Sequence, residues 1–298
     1  MNDINAKGTK AINKVSFSRK LRSYSGRPLS LILFILMSLA AVLTGAVILL
    51  LIGYILIMGI PRLSPRLFEL KYNSENVSML PAIINTFTMT ICSMIIAVPT
   101  GIFAAIYLTE YAKKGSKIVR VIRVTAETLS GIPSIIYGLF GYLMFVIACH
   151  FGNSMLAGAL TLSIMILPTI LRTTEEALMS VPDSFREGSF GLGAGKLRTV
   201  FRVVLPSAVP GILSGVILSM GRVVGETAAL IYTAGTVTGI PKDIMSSGRT
   251  LAVHMYSLMS EGLHTDEAYA TAVVLLVMTA GINCISAYAA KKLSAPDK

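Results

Sequence analysis

The sequence has no tryptophan, only three cysteines and three histidines, and little charge: Asp, Glu, Lys and Arg make up 14% of its 298 residues. A water-soluble domain carries about 25% charged residues, so this chain is short of the groups that clothe a solvated surface. Acids are scarcest, 15 Asp and Glu against 26 Lys and Arg, for a formal net charge of +11. Cys92, Cys149 and Cys284 form no CxxC pair and sit in or beside apolar runs. That excludes a disulfide framework and a zinc site and reads them as small buried hydrophobes. His150, His254 and His264 show no HExxH or HxxxH spacing, and the one Cys beside any of them, Cys149 next to His150, is a lone residue in an apolar run, so no metal or catalytic role falls to them. Without Trp, an interfacial aromatic belt rests on Tyr54, Tyr107, Tyr111, Tyr232, Tyr269 and Tyr288.

What is abundant is apolar: 54% of the residues are hydrophobic. Measured against a hydrocarbon core about 30 Å thick, six runs are long enough to cross it. They are Leu29 to Ile60, Leu80 to Leu108, Val124 to Ala148, Met155 to Leu171, Ala208 to Ala234 and Ala268 to Ala290. The expected architecture is an all-α polytopic membrane protein with six transmembrane helices. Its parts are a basic tail (1–28), a first span (29–60), a core of five further spans (80–290) containing a long polar loop (172–207), and a short tail (291–298). A cleaved signal peptide is the rival reading of the N-terminus. Its apolar region would be only about 7–15 residues, far shorter than Leu29 to Ile60, so an uncleaved anchor is expected.

Basic residues punctuate the runs. Twenty Lys and Arg fall in the tails and the even loops, against five on the opposite side: Arg62, Arg66, Lys71, Lys242 and Arg249. Positive charge accumulates on the cytoplasmic side, which places both termini there. The net charge is therefore a topology signal; a nucleic-acid surface would gather it on one folded domain.

The loop at 172–207 is too long to be an idle connection and too apolar to be a disordered one. Thr174 to Met179 reads as a helix, Pro182 opens a turn with Asp183 or Ser184 as cap, and Phe185 to Leu192 reads as a second short helix, with Gly191, Gly193 and Gly195 breaking or bending the backbone at its end. Gly193-Ala194-Gly195-Lys196 imitates a phosphate-binding P-loop, but Phe190 and Leu197 stand where that pattern needs Gly and Ser or Thr. No ATP site of its own is expected.

Within this loop, Glu187-Gly188-Ser189, three residues, Gly193, nine residues and Val203-Val204-Leu205-Pro206 resemble the EAA loop of ABC importer membrane subunits, with Gly188 and Ser189 in place of the two alanines. The resemblance implies the fold of a type I ABC importer permease and an ATPase-coupling role for Glu187, Gly188, Ser189, Gly193, Leu205 and Pro206. A short rigid helix seated in a moving groove is a means of transmitting closure.

The fifth run contains Arg222, with Glu226 four residues on. Spacing of i,i+4 on a helix lets the two pair, and a charge inside a span marks a pathway or a structural lock. Arg222 offers a planar donor fork to an oxyanion. The alternative, an ion pair locking two helices, stays open. Gly131 and Pro133 weaken the third span and expose backbone to a cavity. Glu127, four residues after Arg123, reads first as its ion-pair partner, and Arg172, which ends the fourth span, as a headgroup contact. Both also admit a pathway role. The segment Gly248 to Met259 reads as amphipathic, lying along the outer face.

The segments GRVVGET (221–227), ETLSGIPSIIYGLFG (127–141) and LPTILRTTEEAL (167–178) resemble the membrane subunits of bacterial phosphate ABC importers, over roughly residues 85–283. The tail from Leu251 to Ala272 is more similar to PstA-type than to PstC-type subunits. The resemblance implies a substrate pathway through Arg222, Glu226, Thr227, Arg172 and Glu127. It also implies four kinds of partner: a PstC-like second permease, a PstB-like ATPase dimer carrying ATP and Mg, a PstS-like extracytoplasmic phosphate-binding protein, and phosphate itself. The chain is then a permease and not an enzyme, with no cofactor of its own. Rival readings are a permease for sulfate or molybdate, a proton-coupled secondary transporter using Glu226 as relay, and a non-transporting scaffold or sensor.

Overall fold

A computed structural model describes residues 28–113 and 115–294. The basic tail expected on the cytoplasmic side, Lys7 to Arg27, lies outside them. Every regular element among the described residues is helical. Compactness divides the chain at Tyr54 into residues 1–54 and 55–298.

In the first unit the described residues form most of α1 (Pro28–Gly59), one unbroken helix. It contains no acid or base, has no polar face, and at 1.5 Å per residue is about 48 Å long, longer than a hydrocarbon core.

In the second unit, 3-10 turns at Ile60–Arg62 and Pro65–Phe68 lead to α2 (Leu80–Ile106), extended by a wide π turn over Tyr107–Tyr111. α3 (Lys117–Ser130) and α4 (Ser134–Gly141, continued as π turn Tyr142–Ala148) follow, then α5 (Met155–Met179) and α6 (Asp183–Gly191). A run from α7 (Lys196–Thr199) through π turn Val200–Val204 enters α8 (Leu205–Val224). α9 (Ala228–Thr233), α10 (Leu251–Glu261) and α11 (Thr265–Ser294) complete the chain.

α5 is the central helix. Its Leu162, Met165, Ile166 and Ile170 are fully buried and pack with Met89 and Ala97 of α2, Val223 of α8, Leu230 and Val253. Ser154 starts it, its Oγ accepting the Ala157 N–H at 3.2 Å, which satisfies one orphan donor of the first turn. Pro168 lies inside it and Pro99 inside α2, as interior prolines do in spans whose neighbours support the backbone.

Five helices are long and apolar enough to cross a membrane, and a sixth crossing arises only if α3 and α4 count as one span bent by 105°. The continuous third span expected from Val124 to Ala148 is therefore corrected to a broken pair. The cause is local: Pro133 cannot donate its N–H and restricts Ile132 before it. Leu129 O, whose i+4 donor would be Pro133, accepts the Ile132 N–H at 3.1 Å and the Tyr137 Oη–H at 2.7 Å instead. The fifth span is likewise corrected. The helical run begins at Lys196, ends at Val224, and resumes as α9 after Gly225–Thr227. The two interrupted segments meet, since a Cβ built on Gly138 of α4 would lie 2.8 Å from Ala229 Cα of α9.

One smaller expectation also changes. Cys92 is half-buried, but Cys149 and Cys284 are exposed, so the reading as buried hydrophobes holds for neither of the latter. α10 buries Leu251, Ala252, Val253, His254, Ser257 and Leu258 and exposes Tyr256 and Met259, so one face packs into the bundle and the other is open, the amphipathic pattern expected.

Candidate functional site

The EAA-like segment forms α6 as an outstanding exposed helix. Pro182 precedes its first residue, and neither Asp183 nor Ser184 caps it with a side chain; Asp183 Oδ1 accepts from Arg186 Nη1 at 3.1 Å instead. Thr174 to Met179 belongs to α5 and is not a separate helix. At the end of α6 the spacing acquires a physical reason. Gly193 has φ +80°, its N–H donates to Phe190 O at 2.9 Å, and the Ala194 N–H donates to Ser189 O at 3.1 Å. This is the paired bonding of a Schellman motif, in which the left-handed residue is glycine because a Cβ is disfavoured there. Ser189 Oγ meets Thr199 Oγ1 at 2.8 Å, tying α6 to α7. Downstream, Pro206 lacks an N–H and crowds the carbonyl of residue 202; the π turn over Val200–Val204 widens the helix there. Glu187 and Gly188 are exposed, as are Phe185, Phe190, Leu192 and Leu197 around them.

One anchor holds this helix to the bundle, and no spacing rule pointed to it. Arg186 Nε and Nη2 donate to Glu110 Oε1 at 3.1 and 2.7 Å, Nη1 donates to Val181 O and Nη2 to Leu178 O. Arg186 is 15% exposed and Glu110 9%. Removing one partner of a buried pair strands the other and costs about 3–5 kcal/mol. Arg186→Ala is therefore expected to lower the melting temperature of the purified protein in detergent sharply, and a melting curve like that of the parent would refute the anchor.

Glu127 and Arg172 are brought together from α3 and α5, Arg172 Nη1 lying 3.8 Å from Glu127 Oε1, and Arg172 Nε donates to Glu176 Oε1 at 3.0 Å. The expected Glu127–Arg123 pair does not form. Arg123 Nε donates to the buried Glu175 at 2.7 Å. These five side chains line a pocket of about 170 Å³, so Glu127 and Arg172 form one charged rim of the bundle.

Arg222, Glu226 and Thr227 form a second group. The anticipated Arg222–Glu226 pair is absent, because the helix that would set it ends at Val224. Glu226 is buried and its Oε1 accepts the Ala229 N–H at 3.1 Å, so it supports the start of α9. Thr227 Oγ1 reaches Gly225 O at 3.4 Å. Arg222 is half-buried in the last turn of α8, where the partial negative end of the helix favours it. Among the described residues no carboxylate lies within 4 Å of it, and its charge acts on Tyr137 of α4. An arginine uncommitted to an acid, at the junction of two interrupted segments, is suited to engage an anion transiently.

His254 of α10 is fully buried. Burial first, and the Arg249 charge second, hold its pKa down from 6.5 to about 3. The unfolded chain takes up this proton below pH 6.5 and the native state does not, so stability is lost as pH falls from about 6.5 toward 3. Each pH unit in that window costs about 1.4 kcal/mol. Melting in phosphate-free buffer at pH 7.5 and 5.5 is expected to fall more for the parent than for His254→Leu; equal falls would count against it.

Known proteins resemble the chain in sequence and in fold. The chain is 35% identical over 243 residues to a probable ABC transporter permease protein, YqgI, of Bacillus subtilis, covering 76% of this chain and 82% of the relative. It is 35% identical over 209 residues to the phosphate transport system permease protein PstA of Mycobacterium leprae, covering 69% and 68%. In fold it is similar to a chain of a bacterial alginate ABC transporter crystallised with its alginate-bound periplasmic protein, with a TM-score of 0.65 at 14% identity over 93% of this chain and 98% of that one. Residues 97–295 match the family model described as the binding-protein-dependent transport system inner membrane component, and the chain, a multi-pass all-helical membrane protein, belongs to that family.

Proposed function

We propose that this chain is one of two membrane subunits of an ATP-driven importer of inorganic phosphate, and is itself a permease without catalytic activity. The observation that supports coupling most directly is the exposed α6, closed by Gly193 in a Schellman motif and anchored by Arg186. It is the right kind of part to seat in a groove of a cytoplasmic ATPase, with Glu187, Gly188, Ser189, Gly193, Leu205 and Pro206 setting its geometry. Phosphate is favoured by the relatives named as phosphate permeases and by the uncommitted Arg222. The partners would be a PstC-like permease, a PstB-like ATPase dimer binding ATP and Mg, and a PstS-like phosphate-binding protein on the outer side, with both termini of this chain cytoplasmic.

In this reading the binding protein delivers phosphate when the ATPase dimer closes and α6 is drawn with it. Arg222 then meets the anion between the interrupted segments. Glu226 and Thr227 shape that junction, and Glu127 with Arg172 line the route on the α3–α5 side. Weak, transient contact suits conduction better than tight binding. The test is uptake of radiolabelled phosphate into proteoliposomes holding this chain and its co-purified partners, with binding protein outside and ATP inside. ATP-dependent uptake that excess sulfate leaves unchanged is expected. Inhibition by sulfate would reassign the substrate, and uptake driven by a proton gradient without ATP would overturn the coupling.

A further inference from the structure

Eight buried side-chain nitrogen and oxygen atoms make no hydrogen bond of good geometry among the described residues, and five of them belong to Arg249 (Nε and Nη2), Thr250 (Oγ1) and His254 (Nδ1 and Nε2); the Val77 backbone faces one of the His254 nitrogens, which leaves four with nothing to bond. Folded proteins satisfy roughly 90% or more of such groups. A concentration of four in one place, three of them on Arg249 and Thr250, points to a partner that is not part of the chain. All three side chains are deeply buried: Arg249 is 4% exposed, Thr250 2% and His254 0%. No carboxylate lies within 4 Å of Arg249 among the described residues, and a buried charge with no counter-charge is strongly unfavourable.

The backbone holds these groups in place. The Arg249 N–H donates to Val237 O at 2.9 Å, its carbonyl accepts from Asn85 Nδ2 at 3.1 Å, and the Leu251 N–H donates to Thr86 Oγ1 at 2.8 Å. Thr250 is the N-cap of α10 and its side chain makes no capping bond. The three residues thus stand at the positive end of an 11-residue helix, which favours negative charge. The two unpartnered nitrogens of Arg249 form one edge of the guanidinium, the fork that matches two oxygens of an oxyanion.

Tyr72 covers the group. Arg249 Cζ lies 4.8 Å from its ring centroid, and the His254 ring meets it edge-on at 6.2 Å. The loop carrying Tyr72 is held firmly: the Asn76 N–H donates to Asn73 Oδ1, and Asn76 Nδ2 donates to Glu69 Oε2 at 2.7 Å. Val77 sits buried at φ 43°, a left-handed conformation that is costly for a β-branched residue. The loop's Glu69 is therefore engaged by Asn76 and leaves Arg249 uncompensated. Tyr72 itself is only half-buried, so the covering side is the thin one.

We propose that Arg249, Thr250 and His254 form a binding site for a small inorganic oxyanion, gripped by the Nε and Nη2 edge of Arg249 and closed over by Tyr72. The site is separate from Arg222, and it does not depend on which anion the protein transports. Phosphate and sulfate share the required chemistry, and both serve as probes.

The experiment is thermal melting of the purified complex of this chain with its permease and ATPase partners in detergent, without nucleotide or binding protein. Phosphate or sulfate is titrated at constant ionic strength set by chloride. The melting temperature is expected to rise and saturate with either oxyanion, to keep an Arg249-dependent rise in Arg222→Gln, and to lose most of the rise in Arg249→Gln. Arg249→Lys keeps the charge but loses the fork and is expected to weaken the apparent affinity about tenfold, as for the loss of one charge-assisted hydrogen bond. If Arg249→Gln does not assemble, Thr250→Val keeps the charge and must still weaken the oxyanion effect. No rise in the parent, an undiminished rise in Arg249→Gln or Thr250→Val, or loss of the rise in Arg222→Gln would each overturn the site. Uptake is not the readout. A complex that imports nothing yet shows the Arg249-dependent rise keeps this site and loses the importer reading, and an importing complex without the rise does the reverse.

Discussion

Arg222→Gln is expected to abolish ATP-driven phosphate uptake while the protein assembles and melts as the parent does. The two halves of that expectation come from the same geometry. Arg222 is half-buried and has no carboxylate within 4 Å among the described residues, so removing its charge strands no buried acid. Glu226 is already satisfied by the Ala229 N–H and does not need it. The stability cost should therefore stay within the ~0.5 kcal/mol usual for substitutions that break no structural feature. Its loss to the transported anion is a different matter. Truncating a hydrogen-bonded charge at a contact costs about 2–5 kcal/mol, or roughly 30-fold to several thousand-fold, and glutamine retains polarity without the charge. Arg222→Lys should recover part of the rate, since it restores a point charge but not the fork. Uptake into proteoliposomes, measured beside melting temperature and co-purification of partners, separates the outcomes. Unchanged uptake would remove Arg222 from the pathway, and loss of assembly would make it a structural residue.

The sequence made the membrane class, most of the run positions and the short helix of the EAA-like segment legible because each rests on local pattern. Apolar length marks a helix wherever it packs, and the Glu187 to Pro206 spacing encodes a helix, a left-handed stop at Gly193 and a proline-bearing re-entry. What it concealed were the consequences of interruption. Gly131 and Pro133 announced weakness in the third run but not a 105° bend. The i,i+4 rule that paired Arg222 with Glu226 presupposed a helix that ends at Val224. Ion pairing failed for a related reason: Arg123 reaches Glu175, 52 residues away, and Arg186 reaches Glu110, 76 residues away. Nearest neighbours in sequence lost to partners in space, and one sequence holds no record of those. His254 and Arg249 were passed over because neither belongs to a ligand motif. Their signal is buried nitrogen without a partner, which only three dimensions reveal.

Gly138→Leu is expected to be among the most destructive single substitutions in the bundle. Gly138 lets α4 approach α9 backbone to backbone: a Cβ there would lie 2.8 Å from Ala229 Cα and 3.2 Å from Ala228 O and Ala229 O. None of those atoms can rotate away, so α9 must move bodily. Overpacking a well-filled site costs about 1–3 kcal/mol and occasionally more, and contact with fixed backbone places this site at or above the upper end. α9 follows directly on Gly225–Thr227, so its displacement also disturbs the cap that Glu226 gives to Ala229. Uptake and melting temperature should therefore fall together, unlike in Arg222→Gln. Gly138→Ala should already be damaging, and Ala229→Gly should not rescue it, because the clash is with main chain and not with the Ala229 methyl. Gly188→Ala on α6 is the matched control. A Cβ at Gly188 meets nothing within 4 Å, and alanine in a helix is favoured over glycine by about 1 kcal/mol, so that variant should melt no lower than the parent. Rescue of Gly138→Ala by Ala229→Gly, or equal melting of the Gly138→Leu and Gly188→Ala variants, would show that the two interrupted segments are not held by backbone contact. The junction that positions Arg222 would then have to be maintained by something other than the packing of α4 on α9.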